Sequence, residues 1–201
     1  MPGGKQVNLP NKITLFRIFL IPIFLIVVLV PFDWGTVSML GSTVEMNLLV
    51  ATLIFAIASF TDWLDGYLAR KMNIVSNFGK FADPLADKLL VMSALVVLIE
   101  FGLAPSWVVA IIVSRELAVT GLRLLLVEQG GVVMAAAWPG KIKTNTQMFA
   151  IIFLLLDDFP LAQFNIPIGT ILLYICLIFT VYSGVDYFYK ARHVFAGTFS
   201  S

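Results

Sequence analysis

Long apolar runs alternate with short polar segments along this chain. Six runs stand out, over residues 13–30, 46–68, 85–101, 106–127, 147–156 and 168–189. A helix needs about 20 residues to cross the hydrocarbon core of a bilayer. The fifth run is short by that measure and is expected to begin earlier, near Lys143, with its polar residues facing the protein. Backbone groups in lipid must be bonded internally, so these runs predict helices, and they are too long for barrel strands. The expectation is an all-α membrane protein with six transmembrane helices, at about 13–30, 46–68, 85–101, 106–127, 144–156 and 168–189. No repeat, low-complexity tract or linker divides it, which predicts one domain over residues 1–201. Pro10 is expected to precede the first span, and Pro31, Pro105 and Pro160 to mark outer ends of spans.

Composition supports lipid as the solvent. The 201 residues are 60% hydrophobic and 12% charged, against about 45–50% and about 25% in ordinary soluble domains. A globule of this size cannot hide such an excess. The first run is too long for the core of a secretory signal, and no small-residue cleavage site stands out after it, so it reads as a retained first span. The net charge of +1 identifies no partner, and nothing points to nucleic acid. The single cysteine, Cys176, offers no disulfide framework and reads as a small buried hydrophobe.

Charge is distributed asymmetrically. Every Lys and Arg falls at the N-terminus, around the second and fourth connections, or at the C-terminal end. They are Lys5, Lys12, Arg17, Arg70, Lys71, Lys80, Lys88, Arg115, Arg123, Lys141, Lys143, Lys190 and Arg192. The other connections carry only acids: Asp33 and Glu45, then Glu100, then Asp157 and Asp158. The positive-inside rule therefore predicts a multi-pass protein of the cell membrane with both termini and the basic connections in the cytoplasm. Trp34, Trp107 and Trp138 fall near predicted interfaces, where aromatic belts form.

Four aspartates sit where lipid-embedded charge is costly. Asp62 and Asp65 are three residues apart, and Asp83 and Asp87 four apart, at the inner ends of the second and third spans. On helices each pair shares a face. The short connection between them makes the helices antiparallel neighbours, so the four carboxylates can converge. Such a cluster keeps its protons or binds cations. Hard oxygen donors suit Mg²⁺, Mn²⁺ or Ca²⁺, and two divalent ions would balance four negative charges. A pair of ions also suits displacement at phosphorus. The plainer alternative is ion pairing of these aspartates with Arg70, Lys80 and Lys88. Gly66, Ala69 and Gly79 leave room for a ligand to approach, or serve ordinary helix packing.

In order, these residues read Asp62-x2-Asp65-Gly66-x2-Ala69-Arg70-x8-Gly79-x3-Asp83-x3-Asp87. This pattern resembles the complete signature of the CDP-alcohol phosphatidyltransferase family. The resemblance implies a six-helix membrane fold, a homodimer and two divalent ions, Mg²⁺ or Mn²⁺. It makes Asp62, Asp65 and Asp83 the main metal ligands, with Asp87 near the metals and also the general base. Gly66, Ala69, Arg70 and Gly79 would hold the cytidine nucleotide. A hydroxyl of the acceptor would attack the β-phosphorus of a CDP-linked lipid at the cytoplasmic side, and CMP would leave.

The acceptor is less legible. Ser114-Arg115-Glu116, Gly140-Lys141-Ile142-Lys143-Thr144 with Gln147, and the opening Asn8-Leu9-Pro10-Asn11-Lys12-Ile13-Thr14 with Arg17 resemble the branch of the family that uses glycerol 3-phosphate. That likeness implies CDP-diacylglycerol as donor, with Asn11 and Thr14 near the nucleotide. Arg115 and Lys141 are the first choices for the acceptor phosphate, and Arg123 and Lys143 the second. Arg115 and Arg123, eight residues apart, are expected to share a face, and Glu116 is expected to point about 100° away from Arg115. The plainer readings are that Arg115 pairs with a carboxylate of the bundle, and that Lys141 and Lys143 attract anionic headgroups. Inositol phosphate, serine or phosphatidylglycerol are other acceptors within the family. A Mg²⁺-dependent membrane prenyltransferase, which would release pyrophosphate, and a cation transporter are readings outside it. Asp186 is expected to pair with Lys190, and His193 reads as a surface residue.

Overall fold

The computed structural model describes residues 9–39, 42–72, 77–128 and 138–192. Among these are six α-helices: α1 (Leu9–Leu29), α2 (Met46–Met72), α3 (Asn77–Glu100), α4 (Ser106–Glu128), α5 (Trp138–Leu155) and α6 (Ile168–Lys190). Each of the six apolar runs lies largely within one of them. The fifth helix starts at Trp138, earlier than expected near Lys143, with Pro139 in its first turn, where a missing N–H costs nothing. Pro10 likewise lies within the first turn of α1 rather than before it. An antiparallel hairpin, β1 (Thr36–Met39) with β2 (Ser42–Glu45), joins α1 to α2 and was not expected. Its strands lie outside the apolar runs, where the backbone need not be helical. His193 and the last residues of the chain lie outside the described residues.

Backbone chemistry at the ends of α3 and α5 is explicit. After α3, the Gly102 amide donates to Ile99 O and the Leu103 amide to Leu98 O, at 2.9 and 2.8 Å. Gly102 supplies the positive φ of 69° that this stop needs. After α5 the same pattern recurs with Asp157, at φ 52°, in the glycine's place. The Asp157 amide donates to Leu154 O and the Asp158 amide to Phe153 O. Asp158 then accepts the Gly169 amide in the first turn of α6 at 2.6 Å, so the side chain that follows one helix caps the next. Asp158→Ala is expected to lower unfolding stability by about 0.5–2 kcal/mol, the usual cost of a lost cap. Denaturant unfolding in detergent measures this, and an unchanged midpoint would mean that the amide finds another acceptor.

The helices pack α1 on α2 and α3, α4 on α6, and α5 most extensively on α6. Thr14, Arg17, Ile21, Phe24 and Val28 form the buried stripe of α1, at the three-and-four spacing of a packed seam. On α6 the buried side is Gly169, Leu173, Cys176, Thr180, Ser183 and Gly184, and all but Leu173 are small residues that let helices approach closely. Phe24, Phe55, Leu95, Leu98, Ile112, Ile151 and Leu155 fill the centre. The outer surface is more apolar than a soluble protein allows, with Phe19, Leu124, Ile178 and Val185 each about two-thirds exposed. Polar groups such as Arg17, Lys143, Gln147 and Thr180 are buried instead.

Among the described residues one helix, α6, is both long and apolar enough to cross a membrane. Shorter apolar stretches occupy Ile13–Leu29 and Met46–Asp62. Charged side chains within α3, α4 and α5 lower the hydropathy of those helices. These charges form the site described next.

Candidate active site

A short connection separates Met72, the end of α2, from Asn77, the start of α3. Asp62 on α2 and Asp87 on α3 lie equally far from that connection, so antiparallel packing brings them to one level of the bundle. Both are roughly ten residues in from the helix ends, about 15 Å at 1.5 Å per residue. Asp87 is half-buried and within electrostatic reach of Asp62, Arg17, Lys88 and Glu116. Asp65 and Asp83 lie on the same two helices, but their side chains lie outside the described residues. The same holds for Asn11, Gly66, Ala69, Arg70 and Gly79.

Arg17 comes to this level from α1. Its side chain is fully buried, and Nη1 lies 2.6 Å from Asp62 Oδ1. The charge pattern counted Arg17 among the basic residues of the N-terminal end. Its position in the buried stripe, one turn after Thr14, makes it part of the aspartate site instead. The Asp62 side chain remains 37% exposed, so it keeps an open side. Carboxylates on adjoining helices, with Asp65 and Asp83 on the same helices, are a hard-oxygen donor set. Its chemistry fits Mg²⁺ or Mn²⁺. Among the described residues no three metal-ligating side chains come together.

A second cluster adjoins the first. Glu116 on α4 accepts from Lys88 Nζ of α3 at 3.0 Å, from Arg115 Nη1 at 3.1 Å, and from Lys143 Nζ of α5. Arg115 and Glu116, expected to diverge around the helix, are therefore an ion pair. The long guanidinium stem spans the 100° between their Cα positions. The other arm of the fork, Arg115 Nη2, donates to Ser183 Oγ of α6 at 2.8 Å. Gly184 makes that approach possible, because a Cβ there would meet Arg115 Cγ at 3.1 Å. A cleft of ≈ 50 Å³ runs between α3, α4 and α5, and Asp87, Lys88, Glu116, Lys143 and Gln147 are among its lining residues.

The four cations proposed for an acceptor phosphate thus separate. Arg115 and Lys143 join at Glu116, and Lys143 is 5% exposed. Lys141 is exposed and rests 5.6 Å from the Trp138 ring centroid. Arg123 is exposed as well, a different environment from that of Arg115 although both lie on α4. Thr14 is fully buried on α1, one turn from Arg17. Asp186 accepts from Lys190 at 2.7 Å, as its spacing predicts. Ser183 and Gly184 were not singled out from the sequence. The sequence offered Lys88 only as an ion-pair partner of the aspartates and Glu116 only within Ser114-Arg115-Glu116; the structure pairs the two with each other.

The model of the family described as CDP-alcohol phosphatidyltransferase matches residues 7–182. A Bacillus subtilis (strain 168) protein named CDP-diacylglycerol--glycerol-3-phosphate 3-phosphatidyltransferase is 54% identical over 183 residues, covering 91% of this chain and 94% of its own. Proteins of the same name from Sodalis glossinidius and Salmonella typhimurium are each 37% identical, covering 94% and 93% of this chain and 97% and 96% of theirs. With its aspartates on two adjoining helices and this likeness running through most of its length, the chain belongs to the CDP-alcohol phosphatidyltransferase family.

Proposed function

We propose that this protein transfers the phosphatidyl group of CDP-diacylglycerol to glycerol 3-phosphate, giving phosphatidylglycerophosphate and CMP. The names of its relatives support donor and acceptor alike. The observation that carries the reading is the shared cleft: Asp87, the candidate base, lines the same space as Lys143, a candidate cation for the acceptor's phosphate. An acceptor without a phosphate would match the positive charge of buried Lys143 and half-buried Arg115 less well than a phosphate monoester, which carries about −1.5 to −2 charge.

In this reading Asp62, Asp65, Asp83 and Asp87 hold divalent ions, Mg²⁺ or Mn²⁺, which neutralise the diphosphate of the donor when bound. Asn11, Thr14, Gly66, Ala69, Arg70 and Gly79 receive the cytidine nucleotide. Arg17 fixes one Asp62 oxygen and so orients that carboxylate. Arg115 and Lys143 receive the acceptor phosphate, with Lys141 and Arg123 at the approach. Asp87 takes the proton of the acceptor hydroxyl as its oxygen bonds to the β-phosphorus. The bond from that phosphorus to CMP breaks, and CMP departs with the electron pair. Buried apolar side chains below the cleft, Leu95 and Ile112 among them, keep water from competing as nucleophile.

The chain is one domain of six transmembrane helices in the cell membrane, with both termini and the site at the cytoplasmic side, and it acts as a homodimer. The all-acidic outer connections and the apolar outward faces support the spans and their orientation. Purified protein with CDP-diacylglycerol, Mg²⁺ or Mn²⁺ and each candidate acceptor tests the reading. The expected products are phosphatidylglycerophosphate and CMP. Pyrophosphate release, or product only with another acceptor, would overturn it. Arg115→Ala is expected to raise the apparent KM for glycerol 3-phosphate about tenfold or more, and that for CDP-diacylglycerol much less. An unchanged acceptor KM would move the acceptor pocket elsewhere.

A further inference from the structure

Lys88, Arg115 and Lys143 come from three different helices, and Glu116 is an acidic partner of each. Three cations this close repel one another, and Lys143 is almost wholly buried. Without a carboxylate among them they would separate or lose protons. Glu116 therefore does what its neighbours cannot do for themselves. It fixes their positions at the cleft before any ligand arrives.

The cluster is not neutral. The three cations outnumber Glu116 and Asp87, the two carboxylates that line the cleft. Two buried donors of this cluster, Arg115 Nε and Gln147 Nε2, also have no hydrogen-bond partner among the described residues. Gln147 is 3% exposed and lines the cleft, so its amide is held where water has little access. Surplus positive charge beside unused N–H groups is the arrangement that an anion with several acceptor oxygens completes. A phosphate monoester, with about −1.5 to −2 charge at neutral pH, has that chemistry.

We propose that Glu116 is a positioning residue for the acceptor site, gathering Lys88, Arg115 and Lys143 into a preformed cradle for a phosphate monoester that Gln147 completes. This rests on the reading of the cleft as the acceptor pocket, and adds to it the group that organises the pocket. Glu116 has the sign to repel the ligand itself, so its value lies in what it holds. Removing it would raise the local positive charge and still weaken binding, because the cations no longer share one geometry.

The test is steady-state kinetics of the full chain in detergent with CDP-diacylglycerol and Mg²⁺, comparing wild type, Glu116→Gln and Glu116→Asp. Glu116→Gln is expected to raise KM for glycerol 3-phosphate about thirtyfold or more, the lower bound for breaking a buried charge pair. KM for CDP-diacylglycerol should stay within about twofold, since only acceptor binding is touched. Glu116→Asp keeps the charge and should recover part of the loss. It also serves where the Gln variant fails to fold, its acceptor KM then rising while its donor KM holds. Equal rises in both constants would show a merely structural role. An unchanged or lowered acceptor KM would show that Glu116 competes with the phosphate, and either result overturns the proposal. Wild type that turns over only unphosphorylated acceptors would overturn the reading of the pocket instead. A different phosphorylated acceptor would replace glycerol 3-phosphate in the same comparison, with the same split required.

Discussion

Asp87→Asn is expected to lower turnover by about 10²–10⁴-fold, the range for removing a general base, while CDP-diacylglycerol still binds. Asparagine keeps the shape of the side chain but cannot take a proton. Asp87 is half-buried on α3, lines the cleft shared with Lys143 and Glu116, and stands at the level of Asp62. In the proposed reading it is thus the carboxylate between the donor side and the acceptor side. Rapid-mixing measurement of CMP release separates the chemical step from binding, and equilibrium titration with CDP-diacylglycerol reads the binding. Retained turnover would exclude Asp87 as the base. Loss of donor binding together with turnover would assign it to the metal site alone.

Asp62→Asn should weaken divalent-ion affinity by about 10–100-fold or more and abolish activity at ordinary metal concentrations. The lower figure is what altered outer partners of metal ligands already cost. The structure sharpens this expectation because Asp62 also pairs with Arg17. Arg17, fully buried, lies 2.6 Å from its Oδ1, and asparagine would weaken that contact as well. The two tasks separate in the measurement. A carboxylate that only paired with Arg17 would, when replaced, lower thermal stability and leave the Mn²⁺ dependence of activity unchanged. A metal ligand shifts that dependence to higher Mn²⁺, with activity partly restored at saturation. Full activity at the wild-type Mn²⁺ requirement would remove Asp62 from the metal site.

Much of the architecture was legible because lipid imposes a coarse rule. Runs near 20 apolar residues become helices, and each of the six runs lies largely within one. The exceptions are where that rule does not reach. The fifth helix begins at Trp138, before its apolar run, and its N-terminal half carries polar Lys143, which the protein interior accommodates together with Gln147. The β1–β2 hairpin lies in a polar connection, where hydropathy says nothing about backbone form.

Site residues divided along a similar line. The four aspartates announce themselves by spacing, since helical periodicity converts three and four residues into a shared face. Glu116 and Arg115 could not be read that way. Backbone angle separates neighbours on a helix by 100°, yet long side chains meet across it, and whether they do depends on what surrounds them. Here Lys88 and Lys143 draw Glu116 inward, and Ser183 with Gly184 seats the guanidinium on α6.

By itself the sequence determined the six helices and the family, because each rests on periodicity or order along a single chain. Tertiary structure alone decided that Arg17 belongs to the aspartate site, and that Lys143 rather than Lys141 reaches the cleft. It also made Glu116 the point where three helices exchange charge. Ion pairs between helices depend on how those helices rotate and slide against one another, and packing sets that rotation, which no spacing in one segment encodes.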